Sequence, residues 1–356
     1  MDLGAIKTIF SFGSLLALTP PKIENSTITM SQKLYIIAMF LFHTTCSAII
    51  LMLSRSYYSG SSLMTTVLRI LHQAVLFAYS VYALMVSGLM KRRQWFLLVK
   101  NLERVECEVK NEKSFYIIFF VSNAIYIVMI IYTSYVWTSA MGLGFIAEFL
   151  PVYSQFFITV STCVILKMIQ SRYKYQKVLL NRHFTQAPKQ LSHMVLLKVK
   201  RSILALKNAV DLFNDIFGWN TLLSIFFIAL RTLFYLDSVI KRENNAETRV
   251  PESYWQVVGR FIFMLTFWVG IFAVILWCDA IREDFEVLLS YCYEMQECVA
   301  DSIVEEDEMW AFTKRVSQNI PEFTAARYFC IDRSTIFSIL NSITTFLLVI
   351  IQFKQL

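Results

Sequence analysis

The sequence predicts an all-α membrane protein with seven transmembrane helices, and three observations predict it. Of 356 residues, 56% are hydrophobic and only 17% charged, with 30 Phe, and the mean hydropathy is +0.54, outside the range of water-soluble domains. Seven apolar segments long enough to cross a hydrocarbon core of roughly 30 Å occur at about 34–53, 63–90, 114–137, 145–170, 208–236, 254–281 and 334–353. Lysine and arginine crowd alternate connections: seven lie between Lys91 and Lys113, ten between Lys167 and Lys207 and five between Arg282 and Arg333.

Basic residues are retained in the cytosol, so this asymmetry places the N-terminus inside and the C-terminus outside. With Lys7, Lys22 and Lys33, the inner side collects 25 basic residues. The outer side has six, Arg231 among them, and Arg69 and Arg260 fall within spans. A net charge of +7 is therefore a topology signal and implies no nucleic-acid partner. The orientation is opposite to that of G-protein-coupled receptors.

Residues 1–33 are expected to form a cytosolic segment. Its apolar run Ile9–Leu18 resembles a signal peptide, but Asp2 near its start and Pro20-Pro21 after it favour an uncleaved lead-in. Residues 34–281 carry the first six spans. The pattern Leu197, Lys198, Arg201, Leu204, Leu206, Val210 predicts that the fifth helix starts in the cytosol and continues into the membrane. The sixth is expected to run past Trp277 through Phe285, Leu288 and Leu289 toward Met295. In the cytosolic region 282–333, Glu305 to Glu308 open a further helix, where carboxylates favour the positive end of the dipole, and Pro321 ends it. Residues 334–356 form the last span and a short extracellular tail.

Nothing in the chain points to an enzyme. His43 and His72 lie within spans, His183 and His193 lie in a basic loop, and no Gly-rich phosphate loop follows a strand. Seven scattered cysteines have neither metal-ligand spacing nor an extracellular pairing, so no cofactor, metal or disulfide framework is expected. Asp279, Glu283 and Asp284 beside Arg282 at the inner end of the sixth span read as interfacial ion pairing.

Arg69 and Arg260 each lie about six residues below the outer end of a span, roughly 9 Å at the α-helical rise. Two readings are open. They pair with Glu148, Asp237 or Glu252 near the outer surface, or they surround an outward-facing pocket with Gln73, Tyr132, Tyr153, Gln155, Tyr235 and Trp255. Aromatic faces with a few hydrogen-bonding groups suit a small-molecule cleft.

The last span is two-sided. At about 100° per residue, Ser334, Ser338, Asn341, Thr345 and Gln352 fall within roughly 60° on a helical wheel, with Leu348 and Val349 on or beside that arc. Ile336, Ile339, Leu340, Ile343, Leu347 and Ile350 occupy the other face. Such a file lines a water-filled pore or bonds to neighbouring helices.

Thr344-Thr345-Phe346, five apolar residues and then Gln352-Phe353 resemble the closing signature TYhhhhhQF of insect gustatory receptors, with Phe346 in place of the usual Tyr. Phe323-Thr324-Ala325-Ala326-Arg327 and Ile331-Asp332-Arg333-Ser334 are similar to the family's approach to its last helix. Ile216-Phe217-Gly218-Trp219-Asn220 is similar to its pattern at the inner start of the fifth span. The resemblance implies a ligand-gated, non-selective cation channel of the sensory plasma membrane, related to insect odorant receptors. It would be a homotetramer, or a heterotetramer with related receptors, anchored by its cytosolic helices and surrounded by lipid.

On that reading the pore and gate comprise Asn341, Thr345, Leu348, Val349, Gln352 and Phe353, with Gln352 and Phe353 at the outer constriction. The partners would be a small-molecule tastant and permeant cations. Leu347 stands where sugar-sensing members commonly carry Glu, which points to bitter or other non-sugar compounds. A metabotropic seven-span receptor or a transporter is the alternative, but the chain has neither an Asp-Arg-Tyr near Arg92 nor an Asn-Pro-x-x-Tyr in its last span, and no inverted repeat.

Overall fold

The computed structural model describes residues 4–20, 29–57, 63–107, 112–141, 147–186, 193–244, 254–298 and 303–355. In chain order these form α1 (Gly4–Leu15), α2 (Met30–Tyr57), α3 (Leu63–Val81), a π-helical continuation (Tyr82–Met90), α4 (Arg92–Arg104), α5 (Glu112–Met141) and α6 (Phe149–Gln186). Then come α7 (His193–Asn244), α8 (Tyr254–Cys298), α9 (Ile303–Ser317), a hairpin of β1 (Thr324–Ala325) and β2 (Phe329–Cys330), and α10 (Arg333–Gln355). Among the described residues, seven helices are long and apolar enough to cross a membrane: α2, α3 with its continuation, α5, α6, α7, α8 and α10. They coincide with the seven predicted segments.

Two of them far exceed a membrane. With 52 residues, α7 extends about 78 Å at 1.5 Å per residue, well over twice the hydrocarbon thickness. The 45 residues of α8 extend about 68 Å, and both overhangs agree with the apolar spacing from Leu197 to Val210 and beyond Trp277. Their overhangs lie on the face where basic residues concentrate, called inner below. There α9 packs on α8 and α7 through buried Met309, Phe312 and Val316. Centrally, α6 packs on α8 and α7 and places Phe157, Val164, Leu166, Ile169 and Tyr173 in the core.

The 91–113 connection is marked in the sequence only by its seven basic residues. In the structure α4 fills much of it, burying Trp95, Leu98, Val99 and Leu102 while Arg93, Lys100 and Arg104 stay exposed, the amphipathic spacing of a surface helix. The N-terminal lead-in is also an integral part of the fold. Ile6, Ile9 and Phe10 of α1 are buried, with Phe10 edge-on to Trp95 at 5.2 Å.

The hairpin departs from an all-α chain. It pairs Thr324 with Cys330 and Ala325 with Phe329, and turns through Ala326 (φ 51°) and Arg327 (φ 65°) without glycine. Such conformations cost of order 1–3 kcal/mol each and persist where surrounding contacts impose them. Those contacts come from α7, on which the hairpin lies directly ahead of α10.

Candidate functional site

The residues singled out above fall into an outer cluster among α3, α5, α6, α7 and α8, and the α10 helix with its inner base.

In the outer cluster, aromatic rings from five helices form a continuous set. Tyr126 of α5 stacks on Phe156 of α6 at 4.2 Å and approaches Tyr153 at 5.4 Å. Phe267 of α8 meets Tyr126 edge-on at 6.5 Å and Phe227 of α7 at 5.5 Å. Phe227 in turn lies 4.7 Å from the His72 ring of α3. Beside these rings, Arg231 Nη1 reaches Glu148 Oε1 at 3.0 Å, with side chains only 19% and 12% exposed. The guanidinium also stands 4.2 Å over the Phe263 ring, a cation–π contact.

Several polar atoms here are buried without a partner: both amide atoms of Gln155, Gln73 Oε1, His72 Nε2 and the Tyr126 hydroxyl. Each unmade hydrogen bond costs about 1–3 kcal/mol, so these atoms mark where hydrogen-bonding ligand or water is energetically favoured. Of the predicted pocket residues, Gln73, Tyr153 and Gln155 belong to this cluster. The Tyr153 hydroxyl is engaged, donating to Asn123 Oδ1 at 2.9 Å.

The other predicted pocket residues make contacts of their own. Tyr132 donates its hydroxyl to the Trp255 carbonyl at 3.2 Å, pinning α5 to the start of α8, while the Trp255 side chain is 60% exposed. Tyr235 packs on Phe261 at 6.0 Å. Arg69 and Arg260 are half-buried. Of the acids near the outer surface, Glu148 pairs with Arg231, and Asp237 accepts the Thr65 hydroxyl at 2.8 Å. Glu252 lies outside the described residues.

The sequence reading missed Arg231, which it assigned to the outer connection. A signal was present, because Arg231 interrupts an apolar run from Leu230 to Leu236 on a helix that continues to Asn244. Arg231→Leu should strand Glu148 in a poorly solvated site at a cost of about 3–5 kcal/mol, whereas an apolar pair of similar volume is far better tolerated. The expected result is severe loss of folded receptor in the single variant and substantial recovery on adding Glu148→Leu. Equal melting temperatures for single and double variants would show that the pair is not a buried unit.

On α10, Ile339, Ile343 and Ile350 are buried where the helix packs on α7 and α8. Ser334, Ser338, Asn341, Thr345, Leu348 and Gln352 are exposed, and Val349 is half-buried. Leu340, assigned to the apolar face, is 44% exposed, because that face is wider than the surface α7 and α8 offer. Ser338 and Thr345 donate to the Ser334 and Asn341 carbonyls at 3.2 and 2.9 Å, so these hydroxyls need no neighbouring helix. The Phe353 side chain lies outside the described residues.

The base of α10 is held on three sides. Asp332 caps it, accepting from the Ser334 hydroxyl at 2.5 Å and the Thr335 amide at 3.2 Å. The Ser334 bond first, then those of Thr335, hold its carboxyl below the usual carboxylate range. Arg333 pairs with Asp279 and Glu283 of α8 at 2.5 and 3.6 Å. The expected acidic cluster thus is an ion-pair site, but Arg282 turns to Glu286 at 3.0 Å and Asp284 to Lys177 at 2.6 Å.

On the third side, the hairpin lies on α7. Asn214 donates to the Glu322 carbonyl at 2.7 Å and accepts from the Thr324 amide at 3.0 Å. Asp215 pairs with Arg327 at 2.8 Å, Trp219 meets Tyr328 edge-on at 5.8 Å and Phe213 meets Phe323 at 5.6 Å. Gly218 makes this possible: a Cβ there would stand 2.8 Å from the Ala326 nitrogen. The two motifs quoted separately from the sequence are thus the two halves of one contact.

Seven spans, a hydrogen-bonding aromatic cluster and a clamped two-sided last helix define the class, and comparison with known proteins agrees. Residues 6–356 match the family described as 7tm Chemosensory receptor, and the chain belongs to it. Over 44 residues, 12% of this chain, it is 50% identical to gustatory and pheromone receptor 32a and to gustatory receptor 68a of Drosophila melanogaster. That segment spans 9% and 11% of those receptors. The fold is similar to the olfactory receptor OR5 of Machilis hrabei, with a TM-score of 0.67 and 13% identity over 98% of this chain and 97% of that one. Against OR5 in complex with eugenol the TM-score is 0.72 at 15% identity, over the same shares of both chains.

Proposed function

We propose that this multi-pass chemosensory receptor is a ligand-gated, non-selective cation channel for small-molecule tastants, with α10 lining the pore and the outer cluster receiving the ligand. The observation that carries this reading is the polar file of α10, exposed opposite the isoleucines that dock on α7 and α8. Four copies around an axis would turn those files toward one another, with residues 282–333 as a cytosolic anchor. OR5 has been solved with eugenol, and a molecule of that kind, apolar with a few hydrogen-bonding groups, suits the orphaned amide of Gln155 among aromatic rings. Leu347 supports a bitter or other non-sugar ligand.

In excised inside-out patches from expressing cells, a panel of plant phenols, alkaloids and sugars should include a compound that evokes a cation current without GTP. Currents that vanish when GTP is withheld would favour a metabotropic receptor instead. Orientation has its own test, since Asn25-Ser26-Thr27 is a glycosylation sequon and lies outside the described residues. A cytosolic N-terminus leaves Asn25 bare in protein made in insect cells, and a glycosidase-sensitive gel shift abolished by Asn25→Gln would reverse the topology.

A further inference from the structure

Span two does not stay α-helical. From Tyr82 to Met90 it winds as nine residues of π-helix, ending where the Lys91 amide donates to the Val86 carbonyl at 3.0 Å. Longer runs of π-helix are rare, and π turns concentrate at functional positions. Something must hold this one open.

Its two ends converge on a single backbone carbonyl of α7. The Tyr82 hydroxyl lies 3.2 Å from the Asp215 carbonyl and 3.4 Å from that of Ile216. Lys91, just past the other end, donates to the Tyr82 hydroxyl at 2.6 Å and to the same Asp215 carbonyl. Nine residues of α-helix would rise about 13.5 Å. The wider π turn rises less, which lets both side chains reach one atom. A third hold comes from Gly88, where a Cβ would stand 2.9 Å from the Ala17 carbonyl, so the chain leaving α1 rests directly on the π segment.

The far side of Asp215 faces the base of α10, because its carboxylate holds Arg327 of the hairpin at 2.8 Å. Above the segment, α3 carries His72, Gln73 and Tyr79, and Tyr79 lies 3.5 Å from the Gln155 carbonyl. Asp215 of α7 therefore joins span two to the hairpin under the last helix, and Trp219 adds a ring contact to each, 6.3 Å from Tyr82 and 5.8 Å from Tyr328.

We infer that Tyr82–Met90 is a clamped coupling element, held in π form by Tyr82 and Lys91 on Asp215, that energetically links span two to the hairpin beneath α10. Releasing the clamp lets the segment interconvert between π and α-helical registers, its amides breaking and re-forming their bonds as the Lys91 amide moves between the Val86 and Ser87 carbonyls, and the hold on Asp215 is lost. Its role in gating rests on the channel reading above, but the linkage does not.

Hydrogen exchange by mass spectrometry on the purified full-length receptor reads the linkage without ligand or current. Tyr82→Phe and Lys91→Met should speed exchange within 82–91 and also in the hairpin, at the Thr324, Tyr328 and Ile331 amides, by about fivefold or more. Linkage is reciprocal, so Arg327→Ala, which removes a side chain 81% exposed, should speed exchange within 82–91. Changes confined to the segment that carries each substitution would overturn the inference. If Lys91→Met fails to fold, Tyr82→Phe and Arg327→Ala give the same two-way reading. A receptor that passes no current yet shows reciprocal exchange would sink the channel reading and leave the linkage standing.

Discussion

Gly218→Ala is expected to lower the melting temperature of the receptor, although alanine is the better helix former by about 1 kcal/mol. The reason is local and steric. A Cβ at this position would meet the Ala326 nitrogen at 2.8 Å, the Thr324 carbonyl oxygen at 3.1 Å and the Ala326 Cα at 3.3 Å. All three are backbone atoms of a hairpin that already carries two residues in the left-handed region, so no rotamer change relieves the clash. The hairpin must lift from α7, weakening the Asn214 bonds and the Arg327–Asp215 pair together. Overpacking of this kind costs about 1–3 kcal/mol, enough to reverse the propensity gain. Gly259→Ala is the control, because its Cβ would meet only the Tyr132 ring, at 3.3 Å, and a side chain can yield. A melting temperature that rises in both variants would mean that the hairpin does not lie against α7 as described.

The sequence made the spans and the long overhangs of α7 and α8 legible because hydrophobic length and period are local properties. Contacts between distant segments were not legible. Ile216–Asn220 and Phe323–Arg327 stood out as motifs, yet nothing in either says that a glycine in one receives the backbone of the other. The Arg231–Glu148 pair was missed for a related reason: counting charges per connection assigned Arg231 to water, whereas the helix carries it inward onto Phe263. The amphipathic spacing of α4 could have been read from Trp95, Leu98, Val99 and Leu102. The π segment could not, since a shift of hydrogen-bond register leaves no mark on an apolar run such as Tyr82–Met90. Half of the outer cluster was equally hidden. Tyr153, Gln155 and Gln73 were chosen as polar or aromatic groups in spans, but the orphaned Tyr126 hydroxyl and His72 Nε2 become distinctive only once neighbouring helices bury them.

Cysteines replacing Asn341, Thr345 and Gln352, one at a time, should make the current sensitive to permeant thiol reagents, whereas cysteines replacing Ile343 and Ile350 should not. Ile343 and Ile350 are 7% and 1% exposed against α7 and α8, and the polar file lies on the opposite side of the same helix. In the proposed ring of four, each substitution is repeated four times around the axis, so one modified position narrows the path from every side. Cys330 is exposed and must be replaced by serine first. Gln352→Ala should then change basal leak or ion selectivity, because its amide can hydrate a passing cation or bond across the ring. Ile351→Ala, about 100° away on a half-buried position, should mainly lower expression. Uniform protection at all five cysteine positions would refute the pore assignment. The hydroxyls, already bonded to their own backbone, would then be compatible with a lipid-facing or helix-packing surface, and permeation would have to run elsewhere in the assembly.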